Sequence, residues 1–279
     1  MSWGLALGSG GLRGAAHIGV LKVLEENKLK PKFIAGASSG GVVAAYYAAG
    51  FSPEKMENLL VFATKGLKGR KEAEWKVPDF SKNKKMPMGL IDGDFAEKAL
   101  KTSLSNRDFS RVIIPASIVA TDIDTGKTIA FSGNRYNNSY SKATFVTGTK
   151  LHEAVRASIS IPGLLAPKRI AQRNLIGGGV TDSIPINIVL DMGATRVIAI
   201  DLGFSTTDEA DSIVKILLKT MELMGSKLAE ASVLKADLVI CPQTNSAGLL
   251  ELNKIPDLIK SGEKAARDNL QLIKAITRE

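Results

Sequence analysis

The chain has 279 residues, 44% of them hydrophobic, enough for a well-buried core. No linker or low-complexity run divides it, so a single domain over 1–279 is expected. The lone cysteine, Cys241, excludes an internal disulfide and a C-x-x-C metal or redox pair. Two histidines, His17 and His152, are too few for a histidine-rich metal centre. The net charge of +9 comes without a recognisable nucleic-acid motif, so nucleic acid is not an expected partner.

The N-terminal "MSWGLALGSGG" lacks the basic start, apolar stretch and cleavage site of a signal peptide. No run approaches the ~18 consecutive apolar residues that span a bilayer. A cytoplasmic protein without an integral anchor is expected.

In chain order, "WGLALG" (3–8) reads as a strand and "RGAAHIGVLKVLEENK" (13–28) as a helix, with apolar spacing through Ala16, Val20, Val23 and Leu24. "KFIAGAS" is a second strand and "SGGVVAAYYAAG" a small-residue helix stopped by Gly50. Between Lys65 and Lys85 eight basic residues face only Glu72, Glu74 and Asp79, interleaved with Trp75 and Phe80 and followed by Met86 and Met88. That mixture predicts a lid-like segment at 64–89 and peripheral contact of residues 65–88 with an anionic membrane; the plainer alternative is a solvated loop.

Beyond it, "DFAEKALKTSL" is helical, "RVIIPASIVATD" and "KTIAFSG" are strands around the turn "DTGK", and "KLHEAVRASIS" is a helix ending at Ile161-Pro162. "ATRVIAIDLG" is a buried strand, "SIVKILLKTMELMGSKLAEASVL" a long helix, "ADLVICP" a last strand carrying Cys241 as a buried spectator, and "PDLIKSGEKAARDNLQLIKAI" a closing helix opened by Pro256. Strands alternating with helices predict an α/β sandwich with a mainly parallel sheet, whose functional loops lie beyond the carboxyl ends of the strands.

Two glycine-rich motifs fall at such ends. Gly36-Ala37-Ser38-Ser39-Gly40 matches G-x-S-x-G between a strand and a helix, the setting of a nucleophile on a sharp turn. Side chains at Gly36 and Gly40 would collide with neighbouring strand or helix, and Ser38 would be lifted to a helix N-terminus, where partial positive charge favours a developing alkoxide. A helix cap is the structural alternative, and Ser39 can fill that role instead. In "LGSGGLRG", Gly8, Gly10, Gly11 and Gly14 leave backbone N–H groups uncovered around Leu12 and Arg13, a nest for negative charge. A dinucleotide site would want G-x-G-x-x-G, but its sixth place holds Arg13. An oxyanion hole for attack by Ser38 fits the pair of motifs better.

Together these motifs resemble the bacterial patatin-like phospholipases: an oxyanion loop "GSGGLRG", an elbow "GASSG", the block "AVRASISIPGLLAP" (154–167) and the segment "ASIVATDIDTGKTIAFSG" (116–133), with similarity from Leu5 to about Leu202. The resemblance implies a three-layer α/β/α sandwich and acyl hydrolysis of a lipid, of phospholipase A, lysophospholipase or esterase type. It also implies a Ser–Asp dyad with no histidine between its members, and no metal or organic cofactor. His17 and His152 accordingly read as structural or exposed, His152 lying far from any obvious carboxylate.

The family's aspartate lies in an Asp-Gly-Gly or Asp-Gly-Ala motif. Here that place reads Ile176-Gly177-Gly178-Gly179-Val180, with glycine at the acid position. Without a proton acceptor, Ser38 keeps an ordinary alcohol's high pKa, and the chain as written is expected to be nearly inert. Three explanations stand: an inactivated variant, a natural non-catalytic relative that binds lipid, or substitution by another carboxylate. The nearest is Asp182, but Asp182-Ser183 before Ile184-Pro185 reads as capping of the next helix.

Overall fold

A computed structural model describes residues 2–68, 88–89, 93–204, 211–244 and 252–278. Most of the basic segment, 69–87 with Trp75 and Phe80, lies outside the described residues, and with it the expected lid and membrane contact.

The alternation of elements follows the sequence. β1 (Trp3–Leu7) leads through a 3-10 turn (Gly11–Gly14) into α1 (Ala15–Glu26). β2 (Phe33–Ala37) leads into α2 (Ser39–Ala48), then α3 (Pro53–Lys68) and α4 (Asp94–Ser103) follow. β3 (Ala116–Asp122) and β4 (Thr128–Ser132) form the expected hairpin, before β5 (Thr144–Val146) and α5 (Leu151–Ser158). A second hairpin, β6 (Lys168–Ile170) and β7 (Arg173–Gly177), precedes α6 (Ile186–Asp191). β8 (Arg196–Ile200), α7 (Ile213–Ser232), β9 (Leu238–Ile240), α8 (Ile255–Asp268) and α9 (Leu270–Thr277) follow.

The nine strands among the described residues form one sheet, in the order β5-β4-β3-β2-β1-β8-β9, with β7 on β3 and β6 on β7. Strands β3, β2, β1, β8 and β9 run parallel, while β4 and β7 run antiparallel to β3. Side chains alternate across the pleat. Leu5, Leu7, Ile34 and Ile118 enter one core with residues of α1, α2, α5 and α8, while Ala6, Ala35, Val119 and Ala199 enter a second with Ile186, Ile188 and Val189 around α6. The small residues of the second face let α6 lie close: a Cβ on Gly4 would sit 2.3 Å from Val189 Cγ1. The fold is a three-layer α/β/α sandwich, as expected.

Three local expectations are corrected. Cys241 is exposed, because β9 stops at Ile240 and the chain leaves the sheet there. His152 is not remote from carboxylates: its ring lies within 4.8 Å of Glu97 and Glu153, because α4 packs beside α5. Asp182 and Ser183 do not cap α6, whose N-terminus at Pro185 has no side-chain cap; Ser183 Oγ instead meets Ser9 Oγ at 2.8 Å.

Candidate active site

Ser38 connects the last residue of β2 to the first of α2 with φ 52° and ψ −119°. A positive φ in a non-glycine costs on the order of 1–3 kcal/mol and persists only where neighbours impose it. They do so here. A Cβ on Gly36 would lie 2.2 Å from the Gly40 carbonyl oxygen, and one on Gly40 would lie 2.2 Å from that of Leu7, so helix and strands close on the turn only because both residues are glycine. The Ser38 N–H donates to the buried Ser158 Oγ at 2.8 Å, fastening the turn to the end of α5. Ser39 does not cap α2: its Oγ is buried without a hydrogen-bond partner among the described residues.

The glycine loop after β1 is held from several sides. Gly8 N–H donates to Ile200 O at 3.1 Å, Ser9 N–H to Ser183 O at 2.9 Å, and Arg13 N–H to Gly10 O at 3.1 Å. Those amides are thus occupied, whereas the amides of Gly10, Gly11 and Leu12 have no backbone acceptor among the described residues. His17 lies 2.8 Å from the Gly8 carbonyl oxygen through Nε2. A carbonyl only accepts, so Nε2 carries the proton. Complete burial holds the ring neutral, pushing its pKa down to about 4. Arg13, only 1% exposed, donates Nε–H to Gly10 O at 3.3 Å and Nη1–H to Gly203 O at 3.1 Å, and its Nη2 pairs with Glu222 of α7. It braces the loop.

The register of β3 explains how residue 177 reaches the elbow. Val119 pairs with Ala37 of β2 and the next residue, Ala120, pairs with Gly177 of β7, while β4 fills the opposite edge from Ser117 to Thr121. Strand β7 therefore takes up the edge where β2 leaves it, and its end meets the turn that carries Ser38. Gly177 is pinned on both sides, its N–H donating to Ser160 O at 2.8 Å and its carbonyl accepting from Thr121 Oγ1 at 3.1 Å. Its torsions, φ −50° and ψ 136°, suit any residue, and a Cβ would meet Ser158 O at 3.4 Å and Ser160 O at 3.5 Å, ordinary contact distances. Gly178 differs: a Cβ there would lie 2.2 Å from Val119 O. The backbone demands glycine at 178 and does not demand it at 177.

Ser38, Gly10, Gly11, Arg13 and Gly177 line one cleft of about 110 Å³. Sequence reading missed its far wall, which is α7 through Leu218, Met221 and Glu222, and a second carboxylate on its lining, Asp201, which accepts the Gly203 N–H at 2.9 Å. The only signal for the wall was the amphipathic period of α7. Asp182 does not line the cleft, and desolvation pushes its carboxyl up to about 8.

The patatin-like phospholipase family matches residues 5–190. An uncharacterised NTE family protein of Mycobacterium tuberculosis is 32% identical over 206 residues, 74% of this chain and 50% of that protein. The lysophospholipase NTE1 of Mycosarcoma maydis is 30% identical over 204 residues, 73% of this chain and 10% of that protein. The chain thus spans half the length or less of these curated relatives. The crystal structure of VipD from Legionella pneumophila superposes with a TM-score of 0.51 at 15% identity, covering 99% of this chain and 67% of that one, a likeness of fold. With more than half of its length matched, the chain belongs to the patatin-like phospholipase family.

Proposed function

We propose that this chain is the scaffold of a lipid acyl hydrolase whose proton acceptor is missing at Gly177. In the competent form Ser38 Oγ attacks the acyl carbonyl, and the amides of Gly10, Gly11 and Leu12 hold the oxyanion. Gly8 and Arg13 support that loop rather than donate from their own amides. An aspartate at 177 would take the serine proton, pass it to the leaving alcohol and then activate water for deacylation. The substrate class is a fatty-acyl ester of a lipid, in keeping with the lysophospholipase activity in the name of the Mycosarcoma maydis relative. No cofactor is required by this chemistry.

One observation carries the reading: beside the elbow is a glycine with unexceptional torsions where a Cβ would make only ordinary contacts, followed by a glycine where a Cβ would collide with backbone. As written, the chain retains only the residual turnover of an oxyanion hole and binding cleft, roughly 10³–10⁴-fold over water. The same absence favours a second reading, a non-catalytic protein that binds lipid in this cleft.

Assaying Gly177→Asp on a short-chain aryl ester separates them. Hydrolysis should rise by roughly 10²–10⁴-fold over the parent, the usual contribution of a positioned base, and Ser38→Ala should abolish it. A silent Gly177→Asp sinks the catalytic reading. Parent turnover equal to that of the variant sinks the missing-acid reading.

A further inference from the structure

We propose that the outer face of α7 docks this chain on an anionic lipid surface. The inference rests on the reading of the cleft as a lipid-ester site and adds where the lipid comes from. Helix α7 has two unlike faces. The inner one lines the cleft through Leu218, Met221 and Glu222, and Gly225 and Ala229 bury against the body of the protein. The outer one carries Ile213 (78% exposed), Ile216, Leu217, Met224 (59%) and Leu228, interrupted by Thr220, and Leu234 (85%) continues the stripe just past the helix. Large aliphatic side chains facing water over several turns mark an interaction surface.

Charge identifies the partner. Lys215 and Lys219 border the stripe on one side, Lys227 interrupts it, and Lys235 follows the helix. Glu222 turns inward to Arg13, while two of the lysines have a carboxylate beside them on the solvent side, Asp211 at Lys215 and Glu230 at Lys227, which leaves the outer face net positive by two charges. Aliphatic residues on one face with lysines at the margin are the pattern of a helix lying in the headgroup region of an anionic membrane.

Connectivity distinguishes a membrane from a protein partner. A smaller apolar groove, lined by Pro162, Gly163, Leu164, Leu217 and Leu218, runs between the turn after α5 and α7. Pro162 and Leu218 also line the cleft that holds Ser38, and Leu217 belongs to the outer stripe. An apolar groove that shares part of its wall with the cleft therefore offers a path from the exposed face toward the serine. An acyl chain leaving a bilayer needs such a path, whereas a docked protein does not.

The test uses the full chain and sedimentation with phosphatidylcholine vesicles, with and without phosphatidylserine. The parent should pellet with the anionic vesicles. Ile213→Glu/Ile216→Glu/Met224→Glu should lower the bound fraction by roughly tenfold or more, and Lys215→Glu/Lys219→Glu/Lys227→Glu should remove the preference for phosphatidylserine. Both sets, placed in the Gly177→Asp background, should leave hydrolysis of a water-soluble aryl ester unchanged. Vesicle binding reads out even if that background proves inactive, so failure of the surface and failure of the catalytic reading are distinct results. A parent that does not pellet, or binding unchanged in both variants, overturns the proposal. So does a parent dimer in sedimentation velocity that the three glutamates make monomeric, which would assign the stripe to a second copy of the chain.

Discussion

His17 donates its Nε2–H to the Gly8 carbonyl oxygen across 2.8 Å, so a helix residue holds the entry to the glycine loop from within the core. Burial takes its pKa from the ordinary 6.5 down to about 4. The depressed value means that the unfolded chain binds more protons between those limits, so the stabilising contribution is complete above pH 6.5 and is lost as pH falls toward 4. Asp182 acts oppositely: raised from 3.8 to about 8, it contributes fully below pH 3.8 and loses its contribution as pH rises toward 8. Between pH 4 and 6.5 the two slopes, each about 1.4 kcal/mol per pH unit, oppose each other. Urea midpoints should therefore respond in opposite senses to the two replacements. Relative to the parent, Asp182→Asn gains stability as pH rises through this window, and His17→Asn loses it. Parallel curves for parent and variants would refute both assignments.

Gly177 and Gly178 should respond oppositely to the same methyl group. Gly177→Ala has compatible torsions and its methyl would make only ordinary contacts, so restricting the unfolded chain should stabilise it by about 0.4–1 kcal/mol. Gly178→Ala drives a methyl into Val119 O, and Gly40→Ala into Leu7 O, so each should lose about 3 kcal/mol or more or fail to fold. Urea denaturation decides. A destabilised Gly177→Ala would mean that position 177 is structurally committed to glycine.

Ser158 fastens the elbow through one hydrogen bond to the Ser38 N–H. Ser158→Ala leaves that donor without its acceptor and should lower stability by about 1–2 kcal/mol. In the Gly177→Asp background it should lower kcat more than it raises KM, because the turn is displaced while the cleft walls stay. An unchanged kcat would show that the backbone strain at Ser38 is borne elsewhere.

The legible parts of this molecule are those whose causes are local. β1 alternates large and small residues, β2 is an unbroken apolar run, and both end in glycine-rich turns, so strand, elbow and following helix were all readable. The arrival of β7 beside β2 was not, because it depends on the register of β3, a relation among residues up to 140 positions apart. The close crossing of α1 and α8 was equally hidden: a Cβ on Gly19 would sit 1.9 Å from Ile259 O, and one on Gly262 1.9 Å from Ala16 O, yet each glycine alone reads as a weak point in a helix. The stretch that forms α7 read only as a long helix, and the face that meets the cleft carries Gly225 and Ala229, the least conspicuous residues on it.

Arg13 and Glu222 join the glycine loop to α7, and their pairing predicts how firmly that helix is held. The guanidinium is buried, and its fork also reaches Gly10 O and Gly203 O, contacts a lysine's single ammonium cannot reproduce together. Glu222→Ala removes the carboxylate from a buried cation, a change that typically costs about 3–5 kcal/mol; the two carbonyl contacts should keep the loss near the lower end. Glu222→Gln retains an acceptor oxygen and should cost less. Because so little of α7 is buried, the loss should appear first as local opening, with faster limited proteolysis inside 213–232 than elsewhere in the chain. Arg13→Lys should do the same and also loosen the loop, lowering the activity of Gly177→Asp. If Glu222→Ala and Arg13→Lys both keep the parent's urea midpoint and cleavage pattern, the pair does not anchor α7, and its packing through residues such as Gly225 and Ala229 holds the wall of the cleft instead.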